Sequence, residues 1–367
     1  MNRRILGTIA IIIFICALVI FVGASHSKRS LLPFMTASVV ASNTGPHGPS
    51  GYHIVKRIPV KGDGFWDYLA FDAPTHRLFI SHGTQVDVLD VTTGNLVGAI
   101  PNTPGVHGIA FAPKLNRGFV SAGRAANVVI FNLNTLATIG TVKTGENPDA
   151  ILYDPATRRV FTMNGRSHDA TAIDAATGRV AGTISLPGKP EFAVADGRGN
   201  IFVNIEDKSE ELHINSKTLK IVAQWPMAPC ESPSGLAMDV AHQRLFAGCD
   251  NRLLAVMDAK AGRLVTTVPI GDGVDANRFD PILRYVFSSN GQDGTLTVIH
   301  EDSPDKYTVV ENVPTARGAR TMELDPKTHD VFLVTADFGP RPAATPEIPH
   351  PRPVPVPGSF VVLLLSR

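Results

Sequence analysis

The sequence predicts an all-β, seven-bladed β-propeller of four-stranded antiparallel blades, its ring closed by an N-terminal strand joining the last blade. Three observations carry that reading. A strand ending at an acidic or turn position recurs at Asp72, Ala112, Asp154, Asp196, Asp239, Asp280 and Asp325, at spacings of 40 to 45 residues. A phenylalanine follows each position by six or seven residues: Phe79, Phe119, Phe161, Phe202, Phe246, Phe287 and Phe332. The 367 residues also include 32 glycines and 28 prolines, which break helices and suit short strands joined by turns.

In chain order, the first element is an address. Arg3 and Arg4 form a basic flank, and 17 of the 20 residues from Ile5 to Ala24 are apolar and none is charged. Val22, Gly23 and Ala24 would allow cleavage before Ser25, while the same length suffices for an uncleaved anchor. Either way the remainder of the chain is expected outside the cytoplasm, periplasmic or extracytoplasmic. Cys16 follows Ile15 in mid-segment, which argues against a lipid anchor. Residues 25–50 read as a linker and residues 51–367 as the propeller.

Each repeat then reads as four strands. In the third, residues 149–153, 159–163, 170–173 and 180–184 are separated by turns, the last of them Asp174 to Gly178. The same turn stands at Asp90 to Gly94 and Asp258 to Gly262, with degenerate copies starting at Asn132 and Asn215. Asp and Asn open such turns by accepting from backbone N–H groups ahead of them, and glycine takes the positive φ. The recurring phenylalanine falls on the second strand, where adjacent sheets pack face to face and need bulk. The last repeat supplies strands near residues 321–324, 331–335 and 359–364 and is one short. Residues 53–60, which precede the first inner strand, are expected to complete it. Residues 339–358 hold eight prolines and are expected to form an extended loop inserted in that blade.

This pattern resembles the YVTN/YncE-like seven-bladed propeller family, whose second strands are written Tyr-Val-Thr-Asn. Here they stand as Phe79-Ile80-Ser81-His82, Phe161-Thr162-Met163-Asn164, Phe202-Val203-Asn204 and Phe287-Ser288-Ser289-Asn290. The likeness spans residues 52–367, with Phe in place of Tyr. It implies an exported or surface-attached protein and brings no agreed catalytic residues.

Candidate chemistry lies where inner strands begin. Five residues before the turn positions stand Asp67, His107, Asp149, Glu191, Ser234, Asp275 and Arg320, all polar. Propeller geometry places these at one mouth of the central channel, and the second-strand ends are expected to add His82, Asn164, Arg166, His168, Asn204, Glu206 and Asn290. Such a ring would suit a polar small molecule or an oxygen-liking cation such as Ca²⁺, and a carboxylate beside a histidine could perform acid–base work. The plainer alternative is a solvated channel mouth. No pair of ligands has a diagnostic spacing, and no cofactor is predicted.

Arg278 departs from the apolar inner-strand pattern, and Glu323 stands at the equivalent place in the next blade. The pair is expected to bridge blades; Arg278, Arg317 and Arg320 could otherwise bind an anion. Cys230 and Cys249 flank one inner hairpin at the same end, so an oxidising compartment would join them as a disulfide.

Composition narrows the classes further. With 34 basic and 33 acidic side chains, the net charge of +1 offers no field for nucleic acid, and membrane contact is expected only through an uncleaved N-terminal segment. Motifs for covalent haem, zinc proteases, serine hydrolases and phosphate loops are missing. The expected function is therefore an exported, monomeric cell-envelope propeller that binds a protein, peptide or glycan through its channel-mouth face. A metal-dependent, lactonase-like hydrolase with its site in the channel is the alternative.

Overall fold

A computed structural model describes residues 49–62, 64–343, 345, 351 and 353–367. The signal or anchor segment, linker residues 25–48 and residues 344, 346–350 and 352 of the Pro-rich insert lie outside the described residues. Among those described, no helix is long and apolar enough to cross a membrane.

The strands form seven four-stranded antiparallel sheets. Six are consecutive meanders, with inner strands Trp66–Asp72, Val106–Ala112, Pro148–Asp154, Pro190–Ala195, Pro233–Asp239 and Val274–Asp280. The seventh joins both ends of the described chain: His53–Pro59 pairs with Val361–Ser366, which pairs with Val331–Thr335 and then Met322–Leu324. The ring thus closes as the sequence implies. The third strand of that blade begins two residues later than expected, at Val361.

Packing explains the repeat. All seven recurring phenylalanines are at most 1% exposed, because each second strand is covered on both faces by neighbouring blades. Arginines two residues before four of them latch consecutive blades. Arg77 donates to the Leu133 carbonyl, Arg117 to Ala175, Arg159 to Ser216 and Arg244 to Pro304, each in the following blade. These guanidiniums satisfy turn carbonyls at the blade periphery.

The predicted turns also form. Asp90, Asn132, Asp174, Asn215 and Asp258 each accept from the backbone N–H groups two and three residues ahead. Where the repeat lacks glycine, Leu136 and Leu219 take the left-handed conformation instead, at φ of 61° and 57°. Their side chains seat on Gly98 and Gly182 in the outer strands of the preceding blades, where any Cβ would collide with them. The backbone cost of roughly 1–2 kcal/mol per residue is offset by that inter-blade contact.

Candidate functional site

Inner strands aim their first polar residue into the channel through a break in register. In six blades the inner–second pairing shifts at this point, for example between Trp66 and Leu69, Val106 and Ile109, and Pro148 and Ile151. An extra residue bends the strand and turns Asp67, His107, Asp149, Glu191, Ser234 and Asp275 out of the blade plane. With Arg320 from blade seven, all seven positions are half-buried.

Most of these groups form one chain of charge around the mouth. Asp275 Oδ2 lies 2.9 Å from Arg320 Nε, whose guanidinium reaches Asp67 Oδ1 at 3.3 Å. Asp67 Oδ2 accepts from His107 Nδ1 at 2.5 Å, and His107 Nδ1 lies 3.7 Å from Asp149 Oδ1. On the far side Lys189 donates to Glu191 at 2.7 Å and also to Glu206. Ser234 reaches Asp275 at 3.4 Å.

Negative charge exceeds positive charge in this enclosed ring, and titration behaviour reflects that. Burial, reinforced by Asp149 and only partly relieved by Lys189, raises the Glu191 carboxyl to about 8. Burial also raises Asp149 to about 6, against the pull of His107. Burial opposes charge on His107, but the hydrogen bond to Asp67 and the nearby carboxylates outweigh it and lift its pKa to about 9. Asp275 is raised by burial, with Arg320 opposing.

Below the ring the channel is crossed by aromatic and ionic contacts. Tyr68 of blade one packs on Phe192 of blade four with ring centroids 5.3 Å apart, and Arg278 of blade six lies 5.2 Å over the same ring. These blades are not neighbours, so the contacts span the channel and turn its mouth into a funnel. Above lies a cavity of about 1110 Å³ reached by Asp67, Asp149, Glu191, Asp275 and Arg320. Its outer wall includes Arg57, Arg317 and Arg341, which are exposed and make no ion pair among the described residues. Gly339, Arg341 and Pro353 bring the Pro-rich insert into that wall beside Phe338, steadied by pairing of Phe338 with Pro355.

Several expected mouth residues are elsewhere. His82 is buried, with Nδ1 2.8 Å from Asp87 and its ring on Phe360. Asn164 is fully buried, donating to Asp169 and to Thr171; Asn290 does the same to Thr295 and Thr297. Asn204 donates to the carbonyls of Ser234 and Gly235. The physical reason is that second strands pair with third strands without any register shift, so their last residue remains between blades. Arg278 also lies below the cavity. It is bidentate to Glu323 at 2.8 and 3.1 Å, as expected of an inter-blade bridge, and donates to the Asn277 carbonyl.

Sequence reasoning missed Tyr68, Lys189, Arg57 and Arg341. Tyr68 directly follows a ring position and could have been found from a predicted bulge; Lys189 and the two arginines lie on strand edges and loops with no repeat signal. Cys230 and Cys249 are joined as a disulfide with Cα atoms 5.5 Å apart, and both are buried. The bond ties the loop entering blade five to the end of its second strand, next to Asp250 on the cavity wall.

No family model matches the chain, and no curated protein matches it in sequence. Among solved structures 1814 chains match, so the likeness is to a widely used architecture. One, titled Kuenenia stuttgartiensis Hydrazine Synthase, aligns with a TM-score of 0.66 at 14% identity, covering 75% of this chain and 94% of that one. At that identity the likeness establishes the propeller fold and nothing about activity.

Proposed function

We propose that the protein is an exported binding propeller that takes its ligand in the funnel at the channel mouth. The observation that carries this reading is the cavity of about 1110 Å³ with half-buried carboxylates inside and, on its wall, arginines that make no ion pair among the described residues. Pockets for small ligands run to roughly 300–1,000 Å³ and carry a few placed polar groups, so the funnel has the required size and chemistry. The histidine of the ring is not set up to take a proton. His107 is clamped by Asp67 and Asp149 and keeps its proton to about pH 9, which makes it a poor general base at neutral pH. Export is supported by the disulfide, which is the form cysteines take in oxidising compartments. The resemblance to YVTN/YncE-like repeats agrees with that placement.

A cation-dependent hydrolase is the second reading, because single donor atoms of Asp67, His107 and Asp149 lie within 4.8 Å of one another. Their surroundings fit calcium poorly. Ca²⁺ asks for about six to eight oxygens, whereas both Asp67 oxygens are engaged by His107 and Arg320. A thermal-shift screen of charged and neutral small ligands, run beside metal analysis of the purified protein, separates the readings. Ligand shifts that vanish in Asp149→Asn and Arg317→Gln are expected. Retained divalent metal, with chelator lowering stability, would instead favour the hydrolase reading.

A further inference from the structure

We infer that the funnel is built for a peptide-sized zwitterion, with its ammonium group among Asp149, Glu191 and Asp275 and its carboxylate on Arg317 and Arg341. This rests on the reading of the funnel as a binding site and assigns its ligand class.

Opposite charges are held apart in one cavity, and their depth differs. The carboxylates stand on the inner strands and are half-buried; Arg317 and Arg341 stand on loops and are exposed. Among the described residues no donor lies within hydrogen-bonding distance of the Asp149 carboxylate, and its ion-pair partner His107 is 3.7 Å away. It is a half-buried acceptor facing a cavity with capacity to spare. Glu191 shares its one ammonium partner, Lys189, with Glu206. An incoming ammonium would supply the missing donors to both acids.

The arginines are presented from fixed backbone. The Arg317 carbonyl accepts from Thr335 Oγ1 at 2.6 Å, and Gly318 N–H donates to Gly291 at 2.7 Å. Gly318 has φ of +82°, and a Cβ there would strike Phe338, so this turn needs glycine. On the insert, Gly339 N–H donates to the Val354 carbonyl at 2.9 Å, two residues from Arg341. A guanidinium presented from such backbone can grip a carboxylate with two parallel hydrogen bonds.

Other ligand classes meet a penalty. A simple anion would face the acidic floor, a simple cation the arginine wall, and a neutral glycan would desolvate both without compensating charge. Volume excludes a single free amino acid as a filling ligand. The same cavity is lined by Val274, Ala316, Ala336, Phe338 and Val361, which offer apolar contact for short side chains.

The test uses the full chain and four forms of one peptide: trialanine, its N-acetyl form, its C-terminal amide, and the doubly blocked form, compared by calorimetry at low salt. Trialanine is expected to bind at least about tenfold more tightly than each blocked form, the scale of one lost charge-assisted hydrogen bond. Glu191→Gln should erase its advantage over the acetylated form, and Arg317→Gln its advantage over the amide. Equal binding of all four forms, or binding of the blocked forms alone, would overturn the zwitterion assignment. A neutral disaccharide set is run in parallel. Binding there that weakens in Arg317→Gln would overturn the ligand class and leave the funnel as a site; no binding by any probe would overturn both.

Discussion

Arg278 shows how one side chain can serve the ring without touching a ligand. Its guanidinium meets Glu323 through two hydrogen bonds, covers Phe192 and joins blades four, six and seven across the channel. Burial alone would disfavour its charge, yet the Glu323 carboxylate holds it firmly protonated. Arg278→Ala would leave that carboxylate half-buried without its partner, so a loss of about 3–5 kcal/mol in urea unfolding is expected. Arg278→Met combined with Glu323→Leu should recover most of the loss. An Arg278→Ala protein as stable as the parent would show that the bridge contributes nothing. Charge pairing across the repeat made this contact legible in sequence, as counting back from the turns did for Asp67, His107 and Asp149. His82, Asn164 and Asn204 were misplaced for a geometric reason. Strand ends look alike in sequence, and only the register shift on the inner strand separates a channel-facing residue from one held between blades.

The blade is the unit in which the repeat acts, and blade five carries a covalent staple. Cys230 lies before the inner strand and Cys249 ends the second, at a separation of 19 residues. Both pack into a core with Phe202, Met227 and Leu236, so the bond also fills space between blades four and five. Closing a loop of this length restricts the unfolded chain, and its removal should cost about 3 kcal/mol. Urea unfolding of the parent with and without reductant, beside a Cys230→Ala/Cys249→Ala variant, measures it; identical midpoints throughout would disprove a stabilising bond. This staple was legible because antiparallel pairing brings those two ends together. The cavity wall contributed by the Pro-rich insert was not. Proline density marks an extended loop but gives no direction, and direction came from the contact of Phe338 with Trp66 at 5.9 Å and its bridge to Pro355.

Ring closure is a property of the whole molecule, and it is concentrated in eleven residues at the start of the described propeller. His53–Pro59 forms the outer strand of blade seven, paired from His53 with Ser366 to Pro59 with Val361. The residues before it lock the same junction. Ser50 N–H and Oγ both donate to Glu311, Arg367 Nε donates to the Ser50 carbonyl, and the buried Tyr52 packs edge-to-face against Phe287 while its hydroxyl donates to the His329 carbonyl. Through these contacts the segment reaches blade six as well as blade seven. Without it, Val361–Ser366 becomes an edge strand with unpaired backbone and exposed apolar side chains, which invites aggregation. Deleting residues 50–60 should therefore abolish cooperative unfolding of the entire propeller, seen by circular dichroism and urea titration. A synthetic peptide of residues 50–60 added in trans should restore the transition, because the groove between blades six and seven already specifies its register. If the deleted protein keeps a sharp transition close to the parent's, closure is not what holds the ring. If it unfolds and the peptide cannot rescue it, the segment acts during folding and not as a reversible lock. Rescue would show that the blades, six of them local meanders legible from a repeat of 40 to 45 residues, become one cooperative body only through a contact that spans the chain.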